Sequence, residues 1–157
     1  MEERTTMNIP VIALRGLTVF PDLTLSFDVE REISIYALDS AMEGDRTIFL
    51  VTQREIATTA PTEEDLYTVG TVCRILQILK TSETSVRVIV EGQQRARIHR
   101  LWQNKPFLQA NVELLEEDFP GRMTPRMEAL IRQTYVTFGE YKELVPNLTD
   151  DFVSAVL

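Results

Sequence analysis

The sequence predicts an α+β fold: a mostly antiparallel β subdomain with one early helix, followed by the start of an α-helical subdomain. Three observations carry this. Asp65–Ile98, DLYTVGTVCRILQILKTSETSVRVIVEGQQRARI, holds two apolar, β-branched runs joined by a short polar turn, the grammar of a sheet-building hairpin. Arg31–Glu43 instead spaces Ile35, Leu38 and Met42 at helical intervals, with Ala37 and Ala41 beside them. Beyond Glu117 the period changes again: Met127, Leu130, Ile131, Tyr135, Phe138 and Tyr141 follow the i, i+3, i+4 rule of an amphipathic helix.

The chain opens with a polar leader and a short apolar run, Ile9–Leu14. Gly16 and Pro21 bracket a turn-rich segment. Leu23–Val29 then alternates Leu23, Leu25, Phe27 and Val29 on one face, the period of a half-buried strand. Gly44 stops the early helix after about three turns. Thr47–Gln53 returns to strand chemistry. Arg54–Glu64 is polar, contains Pro61 and reads as a surface connection, with Thr62–Asp65 suited to one capped helical turn. The paired strands Val69–Lys80 and Ser85–Glu91 follow, then a second hairpin of Arg95–Leu101 and Phe107–Leu115 around Gln103–Pro106. In its last strand Leu108, Ala110, Val112 and Leu114 face one way, and Gln109, Asn111 and Glu113 the other.

These patterns divide the chain into a β subdomain at 1–117, a linker at 118–123 and a helical subdomain starting at 124 and running to 157. Thr124 is a good N-cap with Pro125 at the first helical position. Val145-Pro146 breaks that helix, and Thr149 with Asp150 and Asp151 suits the start of another. Phe152, Val153, Val156 and Leu157 begin its apolar face. No capping residue or polar tail follows Leu157, so the sequence reads as a fragment of a longer helical region; a frayed terminal turn is the other reading.

At 157 residues, 44 % apolar and 25 % charged, the composition is that of a soluble globular protein. Twenty-four acidic against 16 basic residues give a net charge of −8, which argues against a general nucleic-acid binder, because phosphate affinity rests on clustered Lys and Arg. The single cysteine, Cys73, sits inside an apolar strand run, so no disulfide framework exists and a reducing cytosol fits. The N-terminus is not a signal peptide, and no window approaches the roughly 20 apolar residues of a membrane span. The expected setting is the cytoplasm, with no membrane partner.

Catalytic machinery is not legible. The one histidine, His99, lies in a basic stripe with Arg95, Arg97 and Arg100 and reads as a surface group. One His and one Cys cannot build a multi-ligand zinc site. Neither GxxxxGK[ST] nor GxGxxG occurs, so no phosphate cradle is expected. The runs Glu63–Asp65 and Glu116–Asp118 fall in loops and are most simply solvated. The basic stripe lacks interleaved aromatics, so the arginines are expected to pair with nearby acidic segments and to cover sheet surface with their stems. Phe20 beside Pro21, and Leu101 and Trp102 beside a hairpin turn, admit two readings: parts of a protein-binding patch, or plugs for the ends of the sheet.

In order, Ile9-Pro10-Val11, Leu14-Arg15, Phe20-Pro21, Arg31-Glu32, Ser34-Ile35, Ala37-Leu38, Ala41-Met42, Gly44-Asp45, Asp65-Leu66-Tyr67, Val69-Gly70-Thr71-Val72, Glu91-Gly92, Arg95-Ala96 and Ile98 resemble the N-terminal domain of the ATP-dependent Lon protease family. No single motif decides, but the set is specific and runs from about Ile9 to Glu117. Glu30, where many relatives carry Gly, departs from the pattern and puts only the local strand-to-helix turn in doubt. The resemblance implies a PUA-like β subdomain leading into a helical one, with the family's ATPase motifs and Ser–Lys dyad far beyond residue 157. It therefore implies a non-catalytic module with no cofactor of its own, ATP and Mg belonging to the parent enzyme. Its implied partners are unfolded or damaged protein substrates and other subunits of a homohexamer. Phe20, Pro21, Leu101 and Trp102 are the expected substrate contacts, with Met127 and Phe138 as core or interface residues. A mainly structural, oligomerising role and a stand-alone adaptor are the alternatives.

Overall fold

A computed structural model of the chain describes residues 5–116 and 121–145. The chain divides into two compact units, Met1–Glu116 and Glu117–Leu157.

The first unit contains β1 (Thr6–Leu14), β2 (Thr24–Val29), α1 (Glu32–Glu43), β3 (Thr47–Thr52), β4 (Val69–Lys80), β5 (Val86–Gln103) and β6 (Leu108–Leu114), with a 3-10 turn at Glu63–Asp65 before β4. The strands form one sheet in the order β2-β5-β4-β3-β1-β6, and β5 also pairs with β6. That extra pairing closes β5, β4, β3, β1 and β6 into a barrel and, among the described residues, leaves β2 as the one strand with an open outer edge. Only β1 and β3 run parallel; every other pair is antiparallel. With its early and later helices, this mixed sheet is the α+β fold that the sequence predicts.

β1 and β3 read as continuous apolar runs because both of their faces are buried. Ile12, Leu14, Ile48 and Leu50 meet Ala37, Leu38 and Ala41 of α1 in one core. Ile9, Val11, Ala13, Phe49 and Val51 meet Ala110 and Val112 of β6 in a second, inside the barrel. Pro10 is tolerated within β1 because pairing with β3 registers only from Val11 onward, so its missing N–H removes no ladder bond on that side.

β5 differs from the sequence prediction. Ser85–Glu91 and Arg95–Leu101 read as strands of two separate hairpins, yet they belong to one strand. Its first half pairs with β2 (Thr24↔Glu91 to Val29↔Val86), and its second half with β6 (Ala96↔Leu114 to Gln103↔Gln109). The strand therefore serves both cores: Val88 and Val90 in the first, Ala96 in the second. Gly92, which looks like a terminator, sits between the halves. Leu23 also departs from the expected alternation: it precedes β2 and its side chain is exposed.

In the second unit α2 spans Pro125–Leu144. The predicted N-cap is present, the Thr124 hydroxyl accepting from the Met127 N–H at 3.2 Å. No residue of α2 is buried, and Met127 and Phe138 are both half-buried. The second helix expected from Thr149 lies outside the described residues.

Candidate functional site

The loop between β1 and β2 carries Phe20 and Pro21, and hydrogen bonds hold it along its length. Gly16 adopts a φ of 64° as the loop leaves β1. The Leu17 carbonyl then accepts from the Thr52 hydroxyl at 2.7 Å, and the Val19 carbonyl from the Thr71 hydroxyl at 2.6 Å. Beyond Pro21, the Asp22 N–H donates to the Gly92 carbonyl and the Gly92 N–H to the Leu23 carbonyl, both at 2.9 Å. Gly92 is required because a Cβ there would strike the Phe20 carbonyl and come within 3.2 Å of Pro21 Cα. Thus Val19 is buried and Pro21 half-buried, while Phe20 keeps 50 % of its surface exposed on a held backbone. An open hollow of about 330 Å³ lies at the root of this loop, lined by Thr18, Thr52, Tyr67, Thr68 and Val69. Tyr67 and Val69 are exposed, with the Arg54 guanidinium 4.9 Å from the Tyr67 ring centroid. In sequence both fall within the run read as a sheet-building hairpin; an aromatic just before a strand, next to a polar connection, is the signal that marks Tyr67.

Leu101 and Trp102 lie elsewhere. Both belong to the end of β5, nine and ten residues beyond Gly92 in the same strand. Leu101 packs against the barrel core, and its N–H donates to Glu63 Oε2 at 2.6 Å. Trp102 alternates outward and is 47 % exposed.

The titratable groups are largely occupied by structure. Asp65 accepts from both the N–H and the hydroxyl of Thr62 at 2.8 Å, which holds its carboxyl below the usual range. With Glu63 engaged by Leu101, two members of the predicted solvated acidic run instead anchor the 3-10 turn. His99 pairs with Glu113 at 3.0 Å, and Arg87 chelates Asp28 through two bonds of 2.8 Å. Burial pushes the Cys73 thiol up to about 12, so it is not a nucleophile at neutral pH. Among the described residues no cluster of three His, Cys, Asp or Glu is placed to hold a metal, and no helix is long and apolar enough to cross a membrane.

A second concavity, about 250 Å³, opens where β2 gives way to α1. Arg31, the residue before α1, crosses it: its guanidinium donates to Gln53 Oε1 at 2.7 Å and to the Ala13 carbonyl. Gln53 is itself buried and donates to the carbonyls of Glu55 (3.2 Å) and Thr58 (2.9 Å). Burial, followed by the nearby charge of Arg15, lowers the Arg31 pKa.

A barrel scaffold holds the half-exposed Phe20 ring on a fastened loop, with the exposed Tyr67 and Trp102 on other elements. Comparison with known proteins gives it a family. The model of the ATP-dependent protease La (LON) substrate-binding domain matches residues 8–156, and the chain belongs to this family. It is 38 % identical to a Lon protease of Desulforamulus reducens over 96 % of this chain and 18 % of that protein. Lon protease of Escherichia coli K12 is likewise 38 % identical, over 99 % of this chain and 20 % of the relative. The chain thus spans about a fifth of the length of these relatives. Two solved structures share the fold: the N-terminal domain of Mycobacterium avium complex Lon protease (TM-score 0.62, 18 % identity, 94 % of this chain and 78 % of that one) and the Lon N-terminal domain protein from Xanthomonas campestris (TM-score 0.62, 15 % identity, 81 % and 70 %).

Proposed function

We propose that this chain is a non-catalytic recognition module that binds unfolded or damaged polypeptide for a Lon-type, ATP-dependent serine protease. The observation that carries the proposal is Phe20, half-exposed on a loop whose backbone is hydrogen-bonded on both sides. Folded proteins bury the apolar segments that such a surface attracts, and a loop already ordered loses little entropy on binding them. Trp102 offers a second, separate contact, with Pro21 and Leu101 supporting each from behind. Contacts of this kind are individually weak; repetition of the module around a homohexameric parent raises their effective concentration. ATP and Mg would be handled by the rest of that parent, in a cytoplasmic quality-control role. The test mixes this chain with the native and the denatured form of one protein. Binding to the denatured form alone supports discrimination; equal binding to both, or to neither, overturns it.

One observation favours a structural role beside recognition. α2 carries Leu130, Phe138 and Tyr141 along one apolar hollow of about 530 Å³ and buries no residue, a face suited to subunit assembly. Sedimentation of this chain against a longer form that includes the following helical region tests it: assembly confined to the longer form places the determinants downstream.

A further inference from the structure

The cleft beside Arg31 and the open edge of β2 meet at one point of the fold, and neither has a role in the reading above. β2 pairs only with β5. The Gly92 N–H donates to the Leu23 carbonyl, which fixes the alternation: Leu23, Leu25, Phe27 and Val29 turn their main-chain groups toward β5. Thr24, Ser26 and Asp28 therefore turn theirs outward, and all three residues are exposed. Such an edge accepts a further strand by main-chain hydrogen bonding, irrespective of that strand's sequence.

At the end of β2 the cleft carries two guanidinium groups, Arg15 and Arg31, and neither has a carboxylate within ion-pair distance among the described residues. Asp28 also lines it but is chelated by Arg87, which leaves Glu30 as the one acidic side chain there without an ion-pair partner. The cleft lies at the N-terminus of α1, where unpaired N–H groups favour an anion. Ser34, in the first turn, is only 4 % exposed and lines the cleft. Its hydroxyl makes no hydrogen bond among the described residues, yet it is not sealed from solvent, so it opens onto the cavity. Leu17 and Phe27 supply apolar lining.

We propose that the outer edge of β2 and this cleft together bind the C-terminal end of an extended polypeptide: its main chain pairs parallel to β2, its terminal carboxylate meets Arg31, Arg15 and Ser34, and its last, apolar side chain rests on Leu17 and Phe27. A strand parallel to β2 runs toward Arg31, so its C-terminus arrives at the cationic end. Gln53 and the Ala13 carbonyl already hold the Arg31 guanidinium in place and use only two of its five donors. The charge balance fits an anion here, on a chain whose net charge of −8 repels carboxylates elsewhere. This deepens, and rests on, the reading of the chain as a polypeptide-binding domain.

Fluorescence anisotropy with a labelled, Thr/Val-rich peptide ending in leucine tests it, using the free acid, the C-terminal amide and two forms N-methylated at alternate residues. The expected result is at least a tenfold loss on amidation, because charge-assisted hydrogen bonds disappear. One methylated form should fail to bind and the other should bind normally, since only alternate N–H groups of an added strand face β2. Arg15→Gln, at an exposed residue whose single hydrogen bond is a 3.4 Å contact to the Thr58 carbonyl, should weaken the acid several-fold and leave the amide unchanged. Equal binding of acid and amide, or no difference between the methylated forms, overturns the proposal. A denatured protein in parallel separates the two readings: capture of it with no acid preference removes this site but keeps the recognition role, and failure of both ligands removes both.

Discussion

Replacing Gly92 by alanine probes the contact that joins the Phe20 loop to β5. Gly92 does not have a left-handed backbone, so the cost is steric. The new Cβ would run into the Phe20 carbonyl oxygen, with the Phe20 carbonyl carbon at 3.0 Å and Pro21 Cα at 3.2 Å. All three are main-chain atoms, and no side chain can rotate away to make room. Inserting a methyl into such a contact costs about 1–3 kcal/mol. Lifting the loop also endangers the two hydrogen bonds between Gly92 and Asp22–Leu23, each worth about 1 kcal/mol net. A total of about 3–5 kcal/mol follows, and with a urea slope of about 1.5 kcal/mol/M the unfolding midpoint falls by about 2–3 M. Equilibrium urea denaturation of Gly92→Ala against the parent, followed by far-UV circular dichroism, measures this. A midpoint within about 0.3 M of the parent would refute the close approach and the account of Gly92 built on it.

Phe20→Ala and Trp102→Ala each remove a half-exposed ring and should weaken capture of denatured protein about fivefold or more, with thermal midpoints little changed; binding and melting of each variant check this. Gly139→Ala, in the interior of α2 with nothing within 4 Å of the new Cβ, should stabilise that helix by about 1 kcal/mol, seen as a gain in helicity. The Cys73 thiol, buried and pushed up to about 12, should resist iodoacetamide at pH 8 and react fully in denaturant; rapid native labelling would contradict its placement. Asp45 is held low by the Thr47 hydroxyl and N–H, and Asp65 by the Thr62 N–H and hydroxyl. Each contribution is present above the carboxyl's unfolded pKa and is lost as pH falls through the lowered folded one, so Asp45→Asn should flatten the acid limb of a stability–pH profile.

The sequence announced strands wherever the local pattern agreed with the tertiary environment. Ile9–Leu14 and Thr47–Gln53 are apolar on both faces because both faces are buried, and Thr124-Pro125 caps α2 as its chemistry dictates. The misreadings around β5 have one physical origin, which is that this strand breaks local rules for non-local reasons. Gly92 resembles a terminator, but it answers the crowding of Phe20, a residue far away in the chain. A register shift between Ile98 and Arg100 then changes the parity of the strand, so that Ala96, Ile98 and Leu101 all turn inward. Simple alternation cannot anticipate such a bulge, and from Ala96 and Ile98 it would turn Trp102 inward and Leu101 outward, the reverse of what is found. Val72 and Cys73, neighbours in β4, are both buried because the two faces of that strand meet different cores. The cationic cleft was equally hidden, since Arg15, Arg31 and Ser34 meet only when β1 and the start of α1 converge.

The pairing of β1 with β6, Thr6↔Glu113 through Val11↔Leu108, has a consequence for how the chain is made. The first described strand of this unit closes on its last, so the barrel cannot shut until nearly the whole β unit has emerged. Until then Ile9 and Val11 lack their β6 partners Ala110 and Leu108 and remain open to other chains. Contacts of such long sequence separation fold slowly, and a nascent β1 left waiting is a site for chaperone capture or aggregation. The domain proposed to recognise unfolded protein would thus spend its own synthesis displaying the kind of apolar segment it recognises.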